Sequence, residues 1–309
     1  MFDKQTKVDI INRLTRCGFH EIEVTSFVSP KAVPQLQDAD EVIRDIDRSQ
    51  PATLRASVPN LKGLERAHQL GIKKLKLMLS GSDSHSLYNA NADTFAALER
   101  YRSVADEAHK LDIKMTGSIA VAFGCPYEGE LPVERHEAIC QKYEELGITS
   151  ISLADTTGMG NPKNVRKIIR HLTHSFPSFT FSIHLHNTRG MAFANALTAL
   201  EEGIIDFDSS TGGIGGCPYA PNASGNIATE DLVHGFEEMG IQTGVDLDRV
   251  LDAARYLEKQ FPTHVDSFLL KAGKAKDLHR RPESKEQSKS PCQTGLCEQQ
   301  PSVSTGTIL

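Results

Sequence analysis

The chain has 309 residues, 39% hydrophobic and 24% charged, enough for one large globular domain with a sizeable core. No apolar run approaches the roughly 18–20 residues of a membrane helix, and a formal net charge of -6 without a basic stripe excludes a general nucleic-acid binder. The six cysteines, at 17, 125, 140, 217, 292 and 297, lack disulfide-framework spacing and suit a reducing compartment.

The chain opens on a helix whose apolar face is Val8, Ile11 and Leu14. Strands are then predicted at His20–Ser26, Ala52–Val58, Lys73–Leu79, Ile113–Val121, Thr149–Ala154, Thr180–His186 and Ile204–Ser210. Helical stretches lie between them. Val165, Ile168, Ile169 and Leu172 mark the clearest, Phe95, Leu98, Ala105 and Ala108 lie close to one stripe, and Val250, Ala254, Leu257 and Phe261 form another.

Strands alternating with helices imply a parallel sheet with crossover helices, which a doubly wound sheet and a closed barrel both satisfy, and the length favours a (β/α)8 TIM barrel. Seven strands are predicted where eight are needed, so the expectation is a barrel over 1–272 whose first β-strand is missing. A disordered polar tail is expected over 273–309, rich in Lys, Glu, Ser, Gln and Pro. Its Cys292 and Cys297 read as a redox or metal element only weakly, since no further Cys or His nearby would complete a zinc site. With the N-terminus expected to be truncated, targeting stays undecided between mitochondrial and cytoplasmic.

Four segments carry candidate chemistry. His184 and His186, two apart on a strand, point the same way at its C-terminal end, where barrel enzymes keep their sites. One such histidine is ordinarily a satisfied core residue; the pair followed by Asn187-Thr188-Arg189-Gly190 favours metal binding. The loop Gly212-Gly213-Ile214-Gly215-Gly216-Cys217-Pro218-Tyr219-Ala220, running on to Asn226, reads either as a turn or as a mobile loop presenting Cys217 for acid–base work. Asn226 reads as a helix N-cap or as an oxygen ligand. Glu23 and Asp155 are carboxylates at strand ends, each needing a partner if buried or else capping the next helix. Cys125, in Ala122-Phe123-Gly124-Cys125-Pro126-Tyr127-Glu128-Gly129, reads as part of a structural loop or, with slightly less support, as a catalytic residue.

Together these segments resemble the 3-hydroxy-3-methylglutaryl-CoA lyase family of metal-dependent TIM-barrel lyases, across about residues 4–260. The resemblance rests on Ile22-Glu23-Val24-Thr25-Ser26-Phe27-Val28-Ser29-Pro30-Lys31, Pro59-Asn60-Leu61-Lys62-Gly63, Gly124–Gly129, His184-x-His186 and the 212–226 loop. It implies cleavage of 3-hydroxy-3-methylglutaryl-CoA to acetyl-CoA and acetoacetate, in leucine degradation and ketone-body formation. It also implies a likeness to homodimers acting on an acyl-CoA with Mg²⁺ or Mn²⁺. By the same resemblance His184, His186 and Asn226 are metal ligands, Cys217 is the catalytic loop cysteine, and Glu23 and Asp155 organise metal, substrate and protons. The family's Arg-Asp-Gly strand end, with a metal ligand and an enolate-stabilising arginine, has no counterpart here. Its absence leads to an expectation of weak metal binding and poor turnover, a loss of several kcal/mol at about 1.36 per tenfold in rate. Two other readings stand beside this one: a non-catalytic homologue acting as a binding or regulatory protein, and a lyase for a longer-branched 3-hydroxyacyl-CoA.

Overall fold

In the computed structural model the described residues are 2–215 and 225–278. Met1–Lys274 forms one compact unit; of the second, Ala275–Leu309, only 275–278 are described, and the expected polar tail from 279 onward lies outside the described residues.

Helix α1 (Lys4–Leu14) is capped by Asp3, whose carboxylate accepts from Thr6 N, and buries Val8 and Ile11 while Leu14 stays half-buried. Seven strands follow among the described residues: β1 (Glu21–Ser26), β2 (Thr53–Ser57), β3 (Lys74–Ser80), β4 (Lys114–Ala120), β5 (Ser150–Asp155), β6 (Thr180–Leu185) and β7 (Asp206–Asp208). All seven predicted strands are present, with no end shifted by more than two residues. Between them run α2 (Ala39–Asp45), α3 (Leu61–Gln69), α4 (Asp83–Ala90), α5 (Thr94–Glu99), α6 (Arg102–Lys110), α7 (Val133–Glu145), α8 (Pro162–Ser175) and α9 (Ala192–Glu201). After β7 come α10 (Thr229–Glu238), α11 (Leu247–Gln260) and α12 (Phe268–Ala272). The single stripe through Phe95 and Ala108 is in fact two helices, α5 ending at Glu99 and α6 starting at Arg102.

Every strand pairs in parallel with its sequence neighbour, in the order β1 to β7, and β1 and β7 form no ladder with each other. This is a TIM-barrel-like α/β fold, open between its two edge strands among the described residues. None of its described helices is long and apolar enough to cross a membrane.

Alternation along each strand separates two faces. Leu75, Leu77, Ile119, Ile151, Leu153, Ile183 and Leu185 join Ile139, Tyr143, Val165, Ile168 and Leu172 of the helices in one buried cluster. Their neighbours Lys74, Lys76, Ser150, Ser152, Ser182 and His184 take the concave face. The outer ring closes where α11 meets α1: Arg13 lies over the Tyr256 ring, Tyr256 Oη donates to Asp9 and Asp246 N donates to Cys17 O.

Close packing at one strand explains a glycine. A Cβ on Gly117 of β4 would sit 2.7 Å from Tyr143 Cζ and 2.9 Å from Ile151 Cδ1. Tyr143 is fully buried and donates its hydroxyl to Ser118 O at 3.1 Å, so its ring has nowhere to move. Gly117→Ala is therefore expected to destabilise the fold by about 1–3 kcal/mol, read as a lowered urea midpoint; an unchanged midpoint would remove this account of the packing.

Candidate active site

The concave face is unusually polar for a barrel interior, which branched apolar side chains ordinarily fill. From β2, Arg55 donates Nη1 to Glu21 Oε1 at 2.6 Å, Nε to Glu23 Oε2 at 3.1 Å and Nη2 to Asp208 Oδ1 at 3.1 Å. From β3, Lys76 donates to Asp208 Oδ2 at 2.7 Å, and Lys74 pairs with Glu21. Three carboxylates thus face three cations contributed by β1, β2, β3 and β7. Arg55 and Lys76 are 8% and 4% exposed, a burial tolerable only because each is paired.

The charges hold one another ionised. Burial works against the charge of Asp208, but Lys76 and Arg55 outweigh it and hold its carboxyl far below the usual range. Glu23 is held down likewise, against burial, by Lys76, Arg55 and a 2.6 Å bond from Ser57 Oγ. Arg55 is pushed up, since Asp208, Glu23 and Glu21 outweigh its burial.

Directly beyond this layer, His184 and His186 bring their Nε2 atoms to 3.2 Å. Asn226 joins them because residues 225–229 run on beside the strand ends. Asn187 N donates to Gly225 O, Ile227 N to Leu185 O, and His186 pairs with Asn226 in an isolated bridge. Asn226 does not cap a helix, as one reading held, because α10 begins at Thr229 after Ala228. Its Nδ2 instead donates to Ile214 O at 2.9 Å and Gly215 O at 3.2 Å, tying down the glycine-rich loop. The other limb of the loop is held by Glu230, fully buried, whose oxygens both accept from Gly212 N at 3.1 Å. Gly212 has φ +69, a conformation that favours glycine. Cys217 lies outside the described residues.

Whether these donors suit a metal is testable on their own geometry. Burial, then the Lys76 charge, lowers His184 to about 4; burial and His184 lower His186 to about 3. Both imidazoles are therefore neutral near pH 7, so each has one ring nitrogen able to ligate a cation. Asn226 Oδ1 and His186 Nδ1 are buried without hydrogen-bond partners. Two ligands about 2.1 Å from a cation at right angles lie about 3 Å apart, close to the observed separation of Nε2 atoms. The donor set fits a divalent cation held by two nitrogens and a carboxamide oxygen. Among the described residues no group of three His, Cys, Asp or Glu could hold a metal. All three donors line a cavity of ≈ 640 Å³ with Glu23, Arg55, Lys76 and Asp208. A second cavity, of ≈ 490 Å³, opens at the strands' N-terminal ends, lined by Glu21, Lys74, Thr116, Ser150 and Asp206.

Glu23 thus sits where the sequence placed it, while Asp155 does not reach the cavity. In the β5–β6 register Ala154 stands beside His184, and Asp155 stands beside Leu185 on the helix-facing side. Its carboxylate accepts from Met159 N at 2.9 Å and Gly160 N at 3.1 Å, shaping a turn, while α8 is capped by Asn161. Cys125 is buried against Ser82 Oγ, within a small apolar cluster. Arg55, Lys76 and Asp208 escaped the sequence reading. Their signal is charge at alternate positions of apolar strands, as in Lys74-Leu75-Lys76-Leu77 and Asp206-Phe207-Asp208.

The description HMGL-like is that of a family model matching residues 1–257. A hydroxymethylglutaryl-CoA lyase of Bacillus subtilis is 42% identical over 256 residues, 83% of this chain and 86% of that protein. An (R)-citramalyl-CoA lyase of Chloroflexus aurantiacus is 37% identical over 283 residues, 88% of this chain and 89% of that one. The solved structure of an HMG-CoA lyase from Acenitobacter baumannii, in complex with coenzyme A and 3-methylmalate, superposes with a TM-score of 0.87 at 40% identity. The match covers 91% of this chain and 92% of that one.

Two stability measurements check the electrostatics. Arg55→Met takes one partner from each of three carboxylates and is expected to cost about 2–4 kcal/mol, less than in a sealed site because Lys74, Lys76 and Ser57 still hold them and Glu23 keeps some water contact; an unchanged denaturation midpoint would contradict this. Burial raises Asp155 to about 6, against the backbone N–H bonds that lower it. A carboxyl raised above its unfolded value binds its proton more tightly when folded. Its contribution is present below pH about 4 and fades as pH rises through about 6. Unfolding titrations should show stability falling across that window, and Asp155→Asn should flatten the slope.

Proposed function

Since the chain belongs to the HMGL-like family, we propose that it is a carbon–carbon lyase cleaving 3-hydroxy-3-methylglutaryl-CoA to acetyl-CoA and acetoacetate. The observation that carries this reading is the convergence of His184, His186 and Asn226 in a cavity whose rim is the glycine-rich loop preceding Cys217.

The reaction removes the proton of the C3 hydroxyl and breaks the C2–C3 bond. The electron pair is left on the thioester fragment as an enolate, which is then protonated to acetyl-CoA. His184, His186 and Asn226 would hold Mg²⁺ or Mn²⁺, a Lewis acid able to polarise a hydroxyl and ease loss of its proton. Neutral imidazoles suit that holding role, since neither carries a competing proton near pH 7. Glu23, kept ionised by Arg55 and Lys76, lines the same cavity and is a carboxylate able to accept a proton there. Cys217, two residues beyond Gly215 in sequence, is assigned as the acid that protonates the enolate. Asp155 serves by fixing the Thr156–Gly160 turn rather than by touching substrate.

A second reading is favoured by the citramalyl-CoA lyase relative, whose match is 283 residues long. Citramalyl-CoA undergoes the same bond cleavage but leaves pyruvate instead of acetoacetate.

One assay decides between these readings. Purified chain is given each thioester with Mn²⁺ or Mg²⁺, and acetoacetate and pyruvate are measured. Acetoacetate release is expected, reduced on the order of 100-fold or more in Cys217→Ala and in His186→Ala. Pyruvate release alone would transfer the assignment to the citramalyl substrate. Folded protein releasing neither would sink the lyase reading and favour a binding role.

A further inference from the structure

This inference rests on the reading of His184, His186 and Asn226 as metal ligands. A ligating imidazole ordinarily gives its second N–H to a carboxylate, which fixes the tautomer and strengthens the ligand. Here the carboxylate in that position is Asp208. Its Oδ2 lies 3.9 Å from His184 Nδ1, on the side of the ring opposite the Nε2 that meets His186. That distance is too long for a hydrogen bond.

The reason lies in what else holds Asp208. Oδ2 accepts from Lys76 Nζ at 2.7 Å and from Ser152 Oγ at 3.4 Å, while Oδ1 accepts from Arg55 at 3.1 Å. Glu23, the other carboxylate near Lys76, is 3.8 Å away and is itself bound to Arg55 and Ser57. Lys76 is 4% exposed, so little water screens its charge from the three donors lining the same cavity.

We propose that Lys76 sets the metal affinity of this site, by drawing Asp208 away from His184 and by adding a fixed positive charge beside the cation. The two effects have the same sign. Without the ammonium, Asp208 keeps Arg55 on Oδ1 but loses the shorter of the two bonds on Oδ2, the oxygen nearer His184 Nδ1, which can then close on the ring, and the neighbourhood becomes one unit more negative. Lys76 is a positioning residue: it acts through its hold on Asp208, and so on His184, and through its own charge, without being a ligand itself.

Direct metal binding tests this, with no catalysis involved. Mn²⁺ is titrated into the full chain after EDTA treatment, and the free ion is followed by electron paramagnetic resonance. Lys76→Met is expected to bind about tenfold more tightly and Lys76→Arg like the parent, while Asp208→Asn binds about tenfold more weakly or worse. Lys76→Gln, which retains a donor toward Asp208 without the charge, should tighten binding too, and serves where circular dichroism shows that the methionine variant is unfolded. Unchanged or weaker binding in the folded, uncharged variants overturns the proposal, as does equal tightening in Lys76→Arg. His186→Ala separates the two layers of argument. Parental affinity in that variant would place Mn²⁺ elsewhere and dismiss the ligand reading together with this inference; lost affinity there, with Lys76 variants unmoved, dismisses the role of Lys76 alone.

Discussion

The carboxylate of Asp208 is the contact on which the interior is organised. It sits on the three-residue strand β7, yet it engages Arg55 of β2 and Lys76 of β3 and faces His184 of β6. Burying a lone cation among strands would cost several kcal/mol. The chain buries two and balances them with acids from both edge strands. The arrangement ties together strands that share no ladder, and it fixes the floor of the cavity in which the candidate ligands converge.

Above that floor the donors are all neutral, and this division between charged layer and neutral donors gives the site its character. The carboxylates lining the cavity are paired with Arg55 and Lys76, whereas the two imidazoles and the amide oxygen of Asn226 face it without a cationic partner. The same amide that offers Oδ1 inward secures the carbonyls of Ile214 and Gly215 through Nδ2. One side chain therefore joins the candidate metal position to the base of the glycine-rich loop, and Glu230 fixes the opposite limb at Gly212.

Much of this architecture is legible in the sequence because apolar residues at every second position betray the helix-facing side of each strand. His184 and His186 are found by the same rule, two apart at a strand end. Asp155 shows what is lost when parity is not followed through. It is an odd-numbered neighbour of Ile151 and Leu153, and so belongs with them on the helix side, however suggestive its place at the strand end. The charged layer is harder to read. A lysine on a strand looks like a solvated side chain until the sheet curls and brings an aspartate from 132 residues away to meet it. The role of Asn226 is likewise set by a backbone pairing with His186 that local sequence does not encode.

The packing of α11 on α1 also has a kinetic side. Tyr256 and Asp9 are 247 residues apart in the chain. At roughly 5–20 residues per second of synthesis, α1 exists for about 12–50 s before the helix that covers it has been made. During that interval Val8 and Ile11 can join the core cluster with elements already made, but Asp9 and Arg13 wait for Tyr256, so closure of the outer ring is a late, long-range event. Such closures slow folding because their loop entropy must be met before any contact rewards it. The nascent chain thus has a window in which a chaperone, or another chain's exposed helix, competes for the surface that α11 eventually claims.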